Sequence, residues 1–284
     1  MSDPIVRGAR SAGPTPRTAI VGVGRMGSAL VRGLISAGFA PAGIQAFDAD
    51  PGRLQSAREL GVTACASATE AIHDAAIVII AVKPQDVPAV LSEIGPSLTG
   101  GQTILSIAAG LKTSALRAAL PSNCPAGVVR AMPNTPCVVG EGMSVIAGDS
   151  PASPEGIAAA KQVLASAGRV AELPEKLLDA ATGLSGSGPA YAFAFVQALA
   201  DGGVAAGLPR PIAVELAAQT LLGASRMVLV GEGHPEQLKD SVMSPGGTTA
   251  AGIAALESRA FRAAVIEAVL AAWRRAREMG GDDP

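Results

Sequence analysis

Aromatic side chains are scarce in this chain, 2% of 284 residues, with a single Trp and a single Tyr. A core without large rings has to be filled by small and branched aliphatic residues at close backbone approach, and hydrophobic residues do reach 49%. Charge is scarce too, at 16%, and 22 Lys and Arg against 24 Asp and Glu leave a net charge of −2. With no basic face in the order of residues, nucleic acid is not an expected partner. Low charge with ample apolar content argues against disorder, and 34 glycines without a three-residue period exclude a collagen-like chain. The three cysteines, Cys65, Cys124 and Cys137, are widely spaced without the rhythm of metal ligands. They read as small buried groups in a reducing compartment, and no metal is expected. Only two histidines occur, His73 near a helix end and His234 before Pro235, and both read as solvated or capping. No Ser-His-Asp set or paired carboxylate site is recognisable.

Long hydrophobic runs are also missing. The mean hydropathy is +0.37, yet the most apolar stretch, Ala190 to Ala200, is bounded by Pro189 and Asp201, well short of the roughly 20 residues a membrane span needs. The next apolar segment, Pro211 to Val230, carries Glu215 and Arg226. It reads as a helix too short to span and enclosed by protein on every side, so no membrane partner is expected. Residues 1–17 hold Arg, Gly and Pro without a continuous apolar segment. They read as a flexible extension and not a signal peptide, which places the protein in the cytoplasm.

The N-terminal half alternates β-branched runs with helix-length segments. Strands are expected at Thr18 to Val23, Ile44 to Phe47, Ala76 to Val82, Thr103 to Ile107, Val128 to Ala131 and Met143 to Ala147. Helices are expected at Ser28 to Ala37, Pro51 to Leu60, Asp86 to Ile94 and Thr113 to Leu120. Continuous apolar strands separated by helices predict a parallel sheet covered on both faces. After about Pro174 the β-branched runs give way to Ala- and Leu-rich stretches at 175–182, 189–206, 211–230 and 248–279. The organisation is therefore α/β: the extension 1–17, a dinucleotide-binding domain of Rossmann type over 18–174, and an all-helical domain over 175–284.

The dinucleotide expectation rests on Gly22-Val23-Gly24-Arg25-Met26-Gly27, a G-x-G-x-x-G that closes a strand and opens a helix. Gly22 permits the tight turn, Gly24 lets a pyrophosphate approach the backbone, and Gly27 lets the helix pack on the strand. Asp48 lies about 20 residues beyond Gly27, where an acidic residue holds the adenosine ribose of NAD. Arg53 follows closely and is suited to the 2′-phosphate of NADP if the loop turns back. Asp48 and Asp50 are equally suited to cap the helix that starts near Pro51. In the second half, Ser244-Pro245-Gly246-Gly247-Thr248-Thr249 leads into a helix. Two glycines there free backbone N–H groups at a positive helix end, a carboxylate site that needs no Arg or Lys, with hydroxyls of Ser244, Thr248 and Thr249 as further donors. Read alone, the same segment is also an ordinary Ser/Thr helix cap.

Five motifs in one order carry a family resemblance: the Gly22 fingerprint, Ala81-Val82-Lys83-Pro84, Arg130-Ala131-Met132-Pro133-Asn134-Thr135-Pro136, Leu184-Ser185-Gly186-Ser187-Gly188-Pro189, and Asp240 to Thr249. Together they resemble the pyrroline-5-carboxylate reductase family from about Thr18 to Met279. The resemblance implies hydride transfer from NADH or NADPH to the C=N carbon of 1-pyrroline-5-carboxylate, giving L-proline. It implies that Ala81, Val82, Lys83, Pro84, Met132, Pro133 and Asn134 line the nicotinamide side, alongside Gly22, Gly24, Arg25, Met26, Gly27, Asp48 and Arg53. It implies that Ser244, Gly246, Gly247, Thr248 and Thr249 receive the substrate, with Thr249 hydrogen-bonding the ring nitrogen. A homodimer through the helical domain is implied, and in some members a decamer of five dimers.

β-Hydroxyacid dehydrogenases share the strand-GxGxMG-helix start, but their catalytic lysine lies on the long helix after the nucleotide domain. Here no lysine occurs between Lys176 and Lys239. A reductase of another cyclic imine and a dinucleotide-binding protein without turnover are the remaining alternatives.

Overall fold

The computed structural model of the chain describes residues 5–6, 15–149 and 151–281. It packs as two compact units, Met1–Gly186 with Ala272–Pro284, and Ser187–Ala271. The compositional change near Pro174 thus precedes the packing boundary at Gly186. Of the expected extension 1–17, residues 1–4 and 7–14 lie outside the described residues.

The first unit holds strands β1 (Ile5–Val6), β2 (Thr18–Val21), β3 (Ile44–Phe47), β4 (Thr63–Ala64), β5 (Ile77–Ile80), β6 (Thr103–Ser106), β7 (Gly127–Met132), β8 (Gly142–Gly148) and β9 (Gly168–Glu172). They form one sheet in the order β1-β9-β8-β7-β6-β5-β2-β3-β4. Around it lie α1 (Arg25–Ser36), α2 (Pro51–Glu59), α3 (Ala68–Ala71), α4 (Val87–Ile94), α5 (Thr113–Ala118), α6 (Pro154–Ala165) and α7 (Leu178–Ala181). Successive side chains of a strand point to opposite faces, and both faces are covered. Ile77 and Ile79 join Ile20, Leu30, Leu34, Ile44 and Leu105 in one core. Val78 and Ile80 join Val21, Ile72, Leu91, Ile94 and Ile104 in the other. Each such burial contributes about 1.5–3 kcal/mol, which is why these strands read as unbroken apolar runs.

From β4 to β7 the sheet is parallel, as expected. The expectation fails beyond it: β8 runs antiparallel to β7, and β1 antiparallel to β9. The β7–β8 connection holds only a 3₁₀ turn, Thr135–Val139, and a parallel return needs a crossover of about a dozen residues or more. Behind β7, Arg130 is buried and paired with Asp179 at 3.0 Å and Glu175 at 3.5 Å, which fastens 175–186 to the sheet unit.

The second unit contains α8 (Gly188–Ala205), α9 (Arg210–Val230), α10 (Pro235–Ser241), α11 (Thr248–Ser258) and the start of α12 (Phe261–Met279). Helices α8 and α9 meet through Ala200, Ala213 and Ala217, small side chains that allow close approach. The Ala- and Leu-rich stretch 248–279 forms two helices, parted at Ala260, whose φ of +53° is left-handed. Helix α9 departs from expectation. By length and hydropathy it reaches what a membrane span needs, and within the unit only Ala213 and Ala217 of it are buried, with Ile212, Leu216, Leu222 and Leu229 exposed.

Candidate functional site

Strand β2 pairs with β3 on one side and β5 on the other, so the chain order reverses at its C-terminal end and leaves a crevice there. Gly22 occupies that end with φ +98°, and a Cβ on it would lie 2.8 Å from the Ala81 carbonyl carbon. A Cβ on Gly27 would overlap the Gly22 carbonyl oxygen. Both glycines are therefore demanded by close backbone packing. Gly24 is the N-cap of α1 and no side chain among the described residues caps the helix, so its first-turn N–H groups face the positive end of the helix without such a partner. Ser28 Oγ braces the loop by donating to the Val23 carbonyl at 2.7 Å.

A cavity of about 740 Å³ opens over this crevice, lined among others by Gly22, Gly24, Arg25, Asp48, Arg53, Ala81, Val82 and Lys83. The expected nucleotide residues from three strand ends thus converge. The two aspartates separate cleanly. Asp50 caps α2, accepting from the N–H groups of Gly52 at 2.8 Å and Arg53 at 3.4 Å. Asp48 instead accepts from Val23 N–H at 2.8 Å through Oδ2 and from Asp50 N–H at 2.9 Å through Oδ1. Val21, Phe47, Ala49, Asp86 and Val90 also line the wall; sequence reasoning passed over them. Phe47 ends the strand before Asp48, and the i, i+4 pair Asp86 and Val90 follows Lys83-Pro84 on one helix face, so position carried the missed signal.

Met26 and Gly27 lie on α1 and are not among the residues that line the cavity, Met26 packing against the core. Pro84 opens a 3₁₀ turn and is exposed. Met132, Pro133 and Asn134 stand apart from the cavity lining, at the end of β7 against a π-helical turn, Thr182–Gly186. Asn134 Nδ2 donates to the Ser185 carbonyl at 3.0 Å, and its Oδ1 accepts from Met143 N–H at 2.9 Å. A Cβ on Gly186 would lie 2.8 Å from Met132 Cε. Single-turn π-helices recur at functional sites, and this one carries the Leu184-Ser185-Gly186 motif.

In the second unit Gly246 takes φ +69° and Gly247 is the N-cap of α11. No side chain among the described residues caps α11, so Ser244 does not act as an ordinary cap. Ser244 and Thr248 are exposed and Thr249 half-buried on the first turn. Lys239 pairs with Glu236 at 2.7 Å and Asp240 at 3.3 Å, and His234 caps α10 by accepting from Glu236 N–H. Hydrogen bonds from Arg262 and then Lys239 hold the Glu236 carboxyl down to about 2.

A family model described as pyrroline-5-carboxylate reductase dimerisation matches residues 175–279, and one described as NADP oxidoreductase coenzyme F420-dependent matches residues 17–110. The pyrroline-5-carboxylate reductase of Synechocystis is 48% identical over 214 residues, 74% of this chain and 78% of that protein. The chain belongs to the pyrroline-5-carboxylate reductase family. A solved pyrroline-5-carboxylate reductase from Coxiella burnetii superposes with a TM-score of 0.89 at 32% identity, covering 95% of this chain and 100% of that one. The Plasmodium falciparum pyrroline carboxylate reductase, solved with NADP bound, gives 0.82 at 33% identity over 93% and 98%. The dimerisation match begins at the change in composition near Pro174, and the motifs read along the chain fall inside the two matches or in the stretch between them.

Proposed function

We propose that the protein is a pyrroline-5-carboxylate reductase, transferring hydride from NADH or NADPH to the C=N carbon of 1-pyrroline-5-carboxylate and releasing L-proline. The observation that carries this reading is the open first turn of α11 behind Gly246 and Gly247, in a chain whose sheet unit holds a dinucleotide cradle. The cradle fits the group: Gly22 and Gly27 leave no room for side chains, and no side chain among the described residues caps the α1 N-terminus where a pyrophosphate would sit. Gly22, Gly24 and Arg25 hold the phosphates, Asp48 and Arg53 the adenosine end, and Ala81 to Pro84 with Met132 to Asn134 the nicotinamide end. The reduced nicotinamide supplies the hydride.

The chain's own part is orientation and electrostatics. The N–H groups of α11 with Ser244 and Thr248 hold the substrate carboxylate without a cation. Thr249 Oγ1 hydrogen-bonds the ring nitrogen. A protonated imine is already electrophilic, so as the C=N π pair moves to nitrogen the carbon takes the hydride and the nitrogen keeps its proton. That chemistry needs position more than a strong acid or base.

The second unit is assigned to a homodimer, with decamers of five dimers as a further assembly. The exposed apolar side chains of α9 and the dimerisation match over 175–279 support it. Three free thiols fit a cytoplasmic setting. The test is NADH and NADPH oxidation with 1-pyrroline-5-carboxylate beside a six-membered cyclic imine carboxylate. Faster turnover of the five-membered ring supports the reading, and turnover of the larger ring alone assigns another imine.

A further inference from the structure

We infer that Asp48 makes the adenosine end of the cavity selective for a dinucleotide with a free 2′-hydroxyl, so that the protein binds NADH in preference to NADPH. The inference rests on the dinucleotide-dependent reading above and adds the choice of cofactor, which the presence of an NADP-bound relative does not decide for this chain.

Asp48 follows the last residue of β3, and its side chain is only 9% exposed. Both carboxylate oxygens are fixed by backbone donors, Oδ2 by Val23 N–H at 2.8 Å and Oδ1 by Asp50 N–H at 2.9 Å. Turning the carboxylate away strands an N–H of the fingerprint loop itself, so the charge stays where it stands. Each oxygen keeps a lone pair, and a vicinal diol donates to such a pair without adding charge.

Arg53 is the nearest cation, and it is already divided. Nη1 lies 4.0 Å from Asp48 Oδ2, and Nε lies 3.5 Å from Asp50 Oδ2. One guanidinium between two carboxylates leaves the cluster net negative. A 2′-phosphate, about −1.5 to −2 at neutral pH, enters against that field. Arg25 and Arg32 run along α1 and line an adjoining groove with Ser28 and Val138, and Arg53 stands on its wall as well as on that of the cavity. Phe47, Asp48 and Asp50 line the cavity and not that groove.

The test is calorimetric titration of the full-length protein with NADH and with NADPH, a binding readout independent of turnover. The expected result is NADPH binding at least about tenfold weaker. Asp48→Asn keeps an acceptor for Val23 N–H and removes the charge, and it brings the two constants within about threefold. Raising salt from about 50 to about 500 mM narrows the wild-type gap, because screening weakens repulsion; this arm needs no variant to fold. Equal or tighter NADPH binding, an unchanged ratio in Asp48→Asn, or a gap that widens with salt overturns the role of Asp48 alone. Binding of neither dinucleotide overturns the dinucleotide reading itself.

Discussion

Asn134 clamps Ser185: its Nδ2 donates to the Ser185 carbonyl at 3.0 Å while its Oδ1 takes Met143 N–H at 2.9 Å. One amide thus ties the end of β7, the start of β8 and the π-helical turn before Ser187. Asn134→Asp keeps the acceptor and replaces the donor with a carboxylate facing a carbonyl. It is expected to lower kcat by about tenfold or more through misplacement of the segment, with a stability loss of about 1–3 kcal/mol. Steady-state kinetics and a denaturant titration check both, and unchanged kcat contradicts the role.

Gly24 and Gly27 separate binding from folding. A Cβ on Gly24 meets nothing nearer than Arg53 Nη1 at 3.9 Å, whereas one on Gly27 overlaps the Gly22 carbonyl. Gly24→Ala is expected to fold with a normal melting temperature and to bind dinucleotide at least about tenfold more weakly, its methyl standing where a pyrophosphate approaches. Gly27→Ala loses stability first, by about 1–3 kcal/mol from overpacking. Melting curves beside nucleotide titrations resolve the two, and equal behaviour of the variants counts against the assignment.

Thr249 stands half-buried on the first turn of α11. Thr249→Ala is expected to lower kcat by roughly ten- to a thousandfold, the range for one positioned polar group. Thr249→Ser, which keeps the hydroxyl, recovers most of the loss. Wild-type turnover in the alanine variant removes Thr249 from the reaction.

Glu236 links α10 to α12, accepting from Arg262 at 2.8 Å and Lys239 at 2.7 Å. These hydrogen bonds lower its carboxyl from 4.5 to about 2. A depressed folded value means that the link stabilises above the unfolded value and is lost as pH falls from about 4.5 through about 2. Glu236→Gln is therefore expected to melt below wild type at neutral pH, with the two curves converging toward pH 2. Because the pair is exposed, salt shrinks the difference. A pH-independent gap between the melting temperatures contradicts the link.

Much of this fold was readable along the chain because its signals are local. Six expected strands and four expected helices stand within a few residues of place, since each parallel strand is apolar on both faces and each crossover begins or ends at Gly or Pro. Helix α6 was missed although Ser153 and Pro154 mark its start, whereas other missed features lack such signals. Strand β9, Gly-Arg-Val-Ala-Glu, has a single β-branched residue and owes its state to pairing with β8. The reversal at β8 follows from the length of a connection and not from residue type. At Ala260 neither Gly nor Pro marks the break between α11 and α12, which only tertiary packing sets.

The site divides the same way. Gly22, Gly24, Gly27 and Asp48 were readable because a fingerprint fixes their spacing. That Asp50 and not Asp48 caps α2 was not, because both precede Pro51 and only the course of the loop decides between them.

The most direct measurement supplies 1-pyrroline-5-carboxylate and NADH deuterated at nicotinamide C4 to the purified protein and weighs the product. The account predicts L-proline, with one deuterium on the former C=N carbon when the transferred face carries the label. Absence of proline with either reduced dinucleotide, or proline that carries no deuterium whichever face is labelled, contradicts it.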